Sequence, residues 1–187
     1  MRKNQVVFIY GAPACGKYTM AKRLSEENGF LFDNHYFHDM FQNLIEVSDD
    51  KIDIYFKGIG EVKRSFLDII KQFYPKKNFV RYIFTSCIAE YELDNILKFQ
   101  EFANDLDADF VPIELKADLE VLKKRCQTEY RRRRKKMYNP EKLERIVTQS
   151  FKKSPDYKHK NKIVIDTSSL NEDETFEKIK KHLKKFD

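Results

Sequence analysis

The chain has 187 residues, a length suited to one domain carrying at most an inserted lid. With 41% apolar and 14% aromatic residues it can build a core, and no apolar run approaches the roughly 18 residues of a membrane span, which excludes disorder and a transmembrane helix. The net charge is +6, but nine basic residues between Lys123 and Lys136 stand against the single acid Glu129, leaving the rest of the chain at −2; this is one basic segment, not a broadly basic nucleic-acid-binding face.

In chain order, Gln5 to Tyr10 are β-branched and aromatic with almost no polar break, the pattern of a parallel strand buried on both faces. Residues 11–16 read as a loop. Lys17 to Asn28 read as a helix with Met20, Ala21 and Leu24 on one face and Gly29 in the C′ position. Phe30 to Phe32 form a second short strand. Helical spacing returns from Tyr36 to about Val47, and again from Asp50 to Tyr74 with Ile52, Phe56, Ile59, Val62, Phe66, Ile69, Ile70 and Phe73 on its apolar positions. Pro75 is expected to stop that helix.

Further on, Phe79 to Phe84 form a third strand, and 89–106 a helix with Leu93, Ile96, Leu97 and Phe102 inward. Phe110 to Leu115 form a fourth strand. Asp118 is the expected N-cap of a helix running to about Lys136. Pro140 at N1 opens a helix to Phe151, Lys162 to Ile165 form a fifth strand, and Asp173 to Lys185 a closing amphipathic helix. Five strands alternating with helices give an α/β fold, a three-layer α/β/α arrangement with a five-stranded parallel sheet and its ligand at the strands' carboxyl ends.

Cys15, Cys87 and Cys126 are odd in number and widely spaced, which argues against a disulfide framework or a zinc site and fits a reducing compartment. Met1-Arg2-Lys3-Asn4 leads directly into the first strand with no signal-peptide apolar region, so the expected location is cytoplasmic.

The chemistry concentrates in Gly11-Ala12-Pro13-Ala14-Cys15-Gly16-Lys17-Tyr18-Thr19, placed between a buried strand and a helix. It matches Gly-x4-Gly-Lys, the phosphate-binding P-loop or Walker A motif. Glycines let successive N–H groups turn inward on a phosphate, the helix N-terminus adds partial positive charge, and the lysine reaches the β- and γ-phosphates. Tyr18 occupies the position of the usual Mg²⁺-binding Ser/Thr. Either Mg²⁺ is held by water through Asp33, or nucleotide binds with weakened metal support.

The loop with its following Met20-Ala21-Lys22-Arg23-Leu24, and Phe32-Asp33-Asn34-His35 at the end of the second strand, resemble the shikimate kinase-like and adenylate kinase-like small P-loop kinases. They are most similar to bacterial AAA-type ATP-binding proteins of uncertain substrate. Arg125, Arg131 and Lys136 resemble that group's Arg-x5-Arg-x4-Lys lid, and Ile165-Asp166-Thr167 its last strand and turn; residues 36–110 match in layout only. Thr85-Ser86-Cys87 stands where a shikimate-specific glycine run would follow the third strand, and no Walker B acid is there.

The resemblance implies a single kinase-like domain over 1–187 with a helical lid at about 125–140, and ATP and Mg²⁺ as cofactors. Lys17, Asp33 and Arg131 would be catalytic, and residues 11–19 with Arg125 would bind ATP. Asp33, Asn34, His35 and Arg134 would meet the acceptor. Arg132, Arg133, Lys135 and Lys136 are expected on a solvated helix face, since six consecutive basic residues cannot share one side of a helix.

The leading expectation is an ATP-dependent phosphotransferase acting on a small-molecule or nucleotide acceptor, with no membrane partner. The alternatives are a nucleotide-binding regulatory protein with little turnover, and a nucleic-acid 5′-hydroxyl kinase whose basic run grips phosphates.

Overall fold

The structure, a computed structural model, describes residues 3–42, 44–46, 48–73, 79–88, 92–133, 136–151, 153 and 156–186. Five strands, β1 (Gln5–Tyr10), β2 (Phe30–Phe32), β3 (Arg81–Ser86), β4 (Asp109–Lys116) and β5 (Ile163–Asp166), form one all-parallel sheet in the order β2-β3-β1-β4-β5. The helices among the described residues are α1 (Lys17–Asn28), α2 (Asn34–Gln42), α3 (Ile52–Gln72), α4 (Leu93–Asp105), α5 (Leu119–Cys126), α6 (Glu129–Arg133), α7 (Pro140–Ser150) and α8 (Glu172–Leu183).

Residue alternation on β1 explains the layering. Val7 and Ile9 face a core completed by Met20, Leu24, Leu122, Leu143 and Ile179 from α1, α5, α7 and α8. Val6, Phe8 and Tyr10 face the opposite core, with Ile96, Phe102 and Ala103 of α4 and the partly buried Leu67 and Ile70 of α3. Both sides are therefore dry, and all of Val6 to Tyr10 are fully buried, as an uninterrupted apolar strand in a covered parallel sheet requires.

Several boundaries differ from the sequence reading for identifiable reasons. β3 begins at Arg81 and runs through Thr85 and Ser86, because its pairing with β1 matches Gln5 to Arg81 and Tyr10 to Ser86. Arg81 can be buried there since its Nε donates to Gln5 Oε1 at 2.8 Å. Gly29 has extended backbone (φ −164°) and no left-handed cap conformation; a side chain there would meet Ile83 Cδ1 at 2.7 Å and Arg81 O at 3.0 Å.

On α4 the buried arc passes through Ile96, Phe102 and Ala103, and Leu97 falls off it, 42% exposed. On α3 the inward stripe includes Ile59, Phe66 and Ile70, while Phe56, Ile69 and Phe73 face out. The expected long helix after Asp118 is broken at Gln127 and Thr128: α6 starts a new register, with Arg131 N donating to Thr128 O at 3.0 Å. Asp118 holds the N-cap position of α5 without a side-chain bond, whereas Asn139 caps α7 by accepting from Lys142 N. Pro75 and Ala89 lie outside the described residues. No helix among the described residues is long and apolar enough to cross a membrane.

Candidate functional site

β1 delivers the chain to a loop whose backbone only small residues can follow. Gly11 has φ 144°, and a Cβ there would lie 2.1 Å from Leu115 O, so this position takes no side chain without displacing β4. Gly16 has φ 99°, and Ala14, at φ 69°, holds a left-handed conformation that costs a non-glycine residue about 1 kcal/mol. The turned loop brings Lys17 back on itself: its ammonium donates to Gly11 O at 3.0 Å and Ala12 O at 2.7 Å, and lies 3.8 Å from Cys15 Sγ. Burial pushes the Cys15 thiol up, opposed by the Lys17 charge.

The start of α1 has no side-chain cap, while α7 and α8 are both capped by asparagines. Its first-turn N–H groups and positive dipole end are thus offered to the space beside the loop, the arrangement that suits an anion. That space is a cavity of about 660 Å³ at the carboxyl ends of the strands. Its walls come from Pro13 to Met20, Asp33 to His35, Thr85 to Cys87, from Arg125, Tyr130, Arg131 and Lys136, and from Thr167, Leu170 and Thr175 beyond β5.

Asp33 is a buried carboxylate at the N-cap of α2. Its Oδ1 accepts from the backbone N–H of His35 at 3.3 Å and from the Thr85 hydroxyl at 3.2 Å, and its Oδ2 lies 3.8 Å from Lys136 Nζ. His35 is half-buried beside it. Burial holds the imidazole below the ordinary histidine pKa; Asp33 and Asp39 oppose this, and the Lys136 and Lys17 ammonium groups reinforce it. A neutral imidazole in this position can accept a proton. His38 turns away from the cavity to Tyr55, its Nδ1 2.9 Å from the phenol oxygen, and among the described residues no group of three His, Cys, Asp or Glu could hold a metal ion.

Among the described residues, the donor set does not fit a Mg²⁺ ion held directly by the protein. Tyr18 replaces the ligating hydroxyl, Thr85 stands at the strand end where an acid would serve, and both Asp33 oxygens are already engaged.

The basic segment divides by direction. Arg125 spans to the loop after β5, donating to Thr167 Oγ1 at 2.9 Å and Thr167 O at 2.7 Å, so its guanidinium is fixed along one wall of the cavity. Arg131 also lines the cavity, its Nε donating to Met137 O at 2.9 Å. Arg132 and Arg133 face solvent and share Glu129, at 3.1 and 3.2 Å. Lys136 departs from the solvated face expected of it. It is 8% exposed, paired with Asp33, and its ammonium lies 3.9 Å over the ring of Tyr18. α6 starts a new register at Glu129 and Lys136 N donates to Arg131 O at 3.0 Å, so spacing counted from Asp118 does not place Lys136.

The structure therefore brings Pro13 to Thr19, Asp33, Asn34, His35, Arg125 and Arg131 around one cavity, with Gly11 and Ala12 behind it holding Lys17. Arg134 and Lys135 lie outside the described residues. Sequence reasoning missed the inward placement of Lys136 and the part played by Thr85, Tyr130 and Thr175 as cavity walls. The spacing Arg125, Arg131, Lys136 was the available signal for Lys136.

No protein-family profile matches the chain, and no curated protein matches it in sequence. Solved structures do. A sugar kinase from Janibacter sp. HTCC2649 superimposes with a TM-score of 0.59 at 15% identity, covering 97% of this chain and 95% of that one. A gluconokinase from Sinorhizobium meliloti 1021 gives 0.57 at 11% identity over 99% and 94% of the two chains. The Mycobacterium tuberculosis APS kinase, solved with AMPPNP and APS, gives 0.54 at 13% identity over 98% and 99%. The chain, with its five-stranded parallel sheet covered by helices, therefore shares the overall fold of these kinases.

Proposed function

We propose that the protein is an ATP-dependent phosphotransferase that moves the γ-phosphoryl group to a hydroxyl of a small-molecule acceptor. The observation that carries this reading is the loop at residues 11–17. Its positive-φ turns, uncapped helix start and in-turned lysine open directly into a cavity also lined by Arg125 and Arg131. The triphosphate lies along the loop and the first turn of α1, with Lys17 moving from the Gly11 and Ala12 carbonyls to phosphate oxygens. The adenine lies toward Arg125 and the loop from Thr167 to Leu170.

The acceptor enters beside Asp33, Asn34 and His35. Its oxygen attacks the γ-phosphorus while the bond to the bridging β-oxygen breaks; the hydroxyl proton passes to Asp33 or the neutral His35, and ADP leaves. Arg131, in the segment 125–140 that acts as the lid, neutralises charge on the transferring oxygens and helps exclude water. Structural relatives that are sugar kinases, gluconokinases and APS kinases support this reaction class.

Titration of ATP into the wild type and Lys17→Ala by calorimetry tests the nucleotide half of the proposal. Loss of one charge-assisted phosphate contact weakens binding by about tenfold to a hundredfold. Equal affinity in the two proteins would overturn it. A screen of hydroxyl acceptors for ADP release then tests the transfer. A protein that binds nucleotide and regulates without turnover is the second reading, favoured by Tyr18 and Thr85 at positions where a metal-dependent kinase keeps a hydroxyl and an acid. Absence of ADP release across that screen, with intact ATP binding, supports it.

A further inference from the structure

We propose that Lys136 is a built-in counter-cation of the phosphate site, so that this pocket takes up a nucleoside triphosphate with little help from Mg²⁺; the proposal rests on the nucleotide reading above. Three replacements converge on one place. The residue after the loop lysine is Tyr18, whose phenol cannot serve as the compact hydroxyl ligand of a divalent ion. The strand end carries Thr85, and its hydroxyl donates to Asp33 at 3.2 Å. Between Tyr18 and Asp33 stands the Lys136 ammonium, 3.9 Å above the ring and 3.8 Å from Oδ2, buried in the wall of the cavity that the loop lines.

The same side chain that removes the metal-ligating hydroxyl thus supplies the aromatic face that holds the substitute charge. A desolvated ammonium over an aromatic ring is attracted by the ring's quadrupole, and the neighbouring carboxylate fixes it further. A lysine ammonium is a compact point charge with N–H donors for phosphate oxygens, so it does part of what a divalent ion does for a polyphosphate. It also repels a second cation from the same spot. Mg²⁺ gives up its waters reluctantly, and the Lys136 ammonium already stands 3.8 Å from Asp33 Oδ2, the carboxylate that would receive a hydrated ion.

The test is calorimetric titration of ATP in EDTA and in excess Mg²⁺, on the wild type, Lys136→Met and Tyr18→Ser. The wild type is expected to bind ATP with dissociation constants within about threefold of each other in the two buffers. Lys136→Met is expected to lose about tenfold in EDTA and to recover part of it with Mg²⁺. Tyr18→Ser, at a half-exposed position, is expected to acquire a Mg²⁺ dependence of about tenfold, because it removes the ring and restores a small hydroxyl.

A wild type whose affinity falls more than about thirtyfold in EDTA overturns the proposal while leaving the nucleotide reading intact. Unchanged binding of Lys136→Met in EDTA does the same. If Lys136→Met fails to fold, Tyr18→Ser decides: affinity that ignores Mg²⁺ as in the wild type overturns the proposal. No ATP binding by the wild type in either buffer ends both the nucleotide reading and this inference.

Discussion

The two sides of the cavity are built by different rules. On the side of β1, the loop and α1, every strand residue from Val6 to Tyr10 is fully buried and the glycines at 11 and 16 have backbone angles that other residues rarely adopt. On the side of α2 and α3, one inward stripe through Ile59, Phe66 and Ile70 packs, while Ile54, Phe56 and Phe73 are 72%, 55% and 80% exposed. Gly58 and Gly60 there have open space where a side chain would go. Backbone geometry dictates the first side almost residue by residue; the second is held by side-chain packing and a few polar contacts such as His38 with Tyr55.

The sharpest way to break the comparison is Gly11→Ala. A methyl group 2.1 Å from Leu115 O, at φ 144°, cannot be absorbed without moving β4, so the variant should lose about 3 kcal/mol or more in urea unfolding. A loss under about 1 kcal/mol would show the loop to be as permissive as α3. Next is Asp33→Asn. It keeps the shape of the cap but removes the charge that Lys136 pairs with, which should cost about 1.5 kcal/mol. Glu129→Gln, which breaks the exposed pairs with Arg132 and Arg133, should cost under about 0.5 kcal/mol. Similar losses for the two variants would mean that the inward and outward parts of the basic segment do not differ.

The sequence was most readable where structure is local. A run of glycines and small residues ahead of Lys17 specifies the loop because few other residues can adopt its angles, and the unbroken apolar stretch at 5–10 could only be a central strand. Reading failed where tertiary pairing overrides local pattern. The start of β3 is set by its partner β1, which extends it past the end of its apolar run into Thr85 and Ser86 and so places Thr85 against Asp33. Gly29 looked like a helix cap because helices end in glycine, yet it is small because Ile83 and Arg81 approach it. Lys136 was put in solvent because six consecutive basic residues cannot share one side of a helix, an argument blind to the new register that starts after Gln127 and Thr128. Composition could not show which of several adjacent cations turns inward, since the decision is made by Tyr18 and Asp33, each more than a hundred residues away.

On the α2–α3 side the expected effects are smaller and depend on pH. Burial, with the Lys63 charge behind it, lowers the His38 pKa from 6.5 to about 4, so the folded protein keeps this imidazole neutral and bonded to Tyr55. The unfolded chain takes up a proton below about pH 6.5 that the folded state refuses. Stability is therefore lost as pH falls from about 6.5 toward 4. With solvent screening of a half-exposed group, the His38 share amounts to ~1 kcal/mol. Thermal unfolding between pH 7 and 5, where most carboxylates stay ionised, should show a slope that His38→Gln reduces; an unchanged slope would place the proton uptake elsewhere.

Gly60→Ala gives the smallest effect and the one with the opposite sign. Gly60 is exposed in the middle of α3, its backbone is helical, and a Cβ there would meet nothing within 4 Å. Alanine loses less conformational freedom than glycine on entering a helix, so the variant should gain about 0.5 to 1 kcal/mol, read as a higher melting temperature. The two glycine-to-alanine changes then move stability in opposite directions because Gly11 meets the backbone of β4 and Gly60 meets solvent. A destabilised Gly60→Ala would mean that this face of α3 is closely covered in solution, and the contrast between a fixed phosphate side and a permissive opposite side would have to be withdrawn.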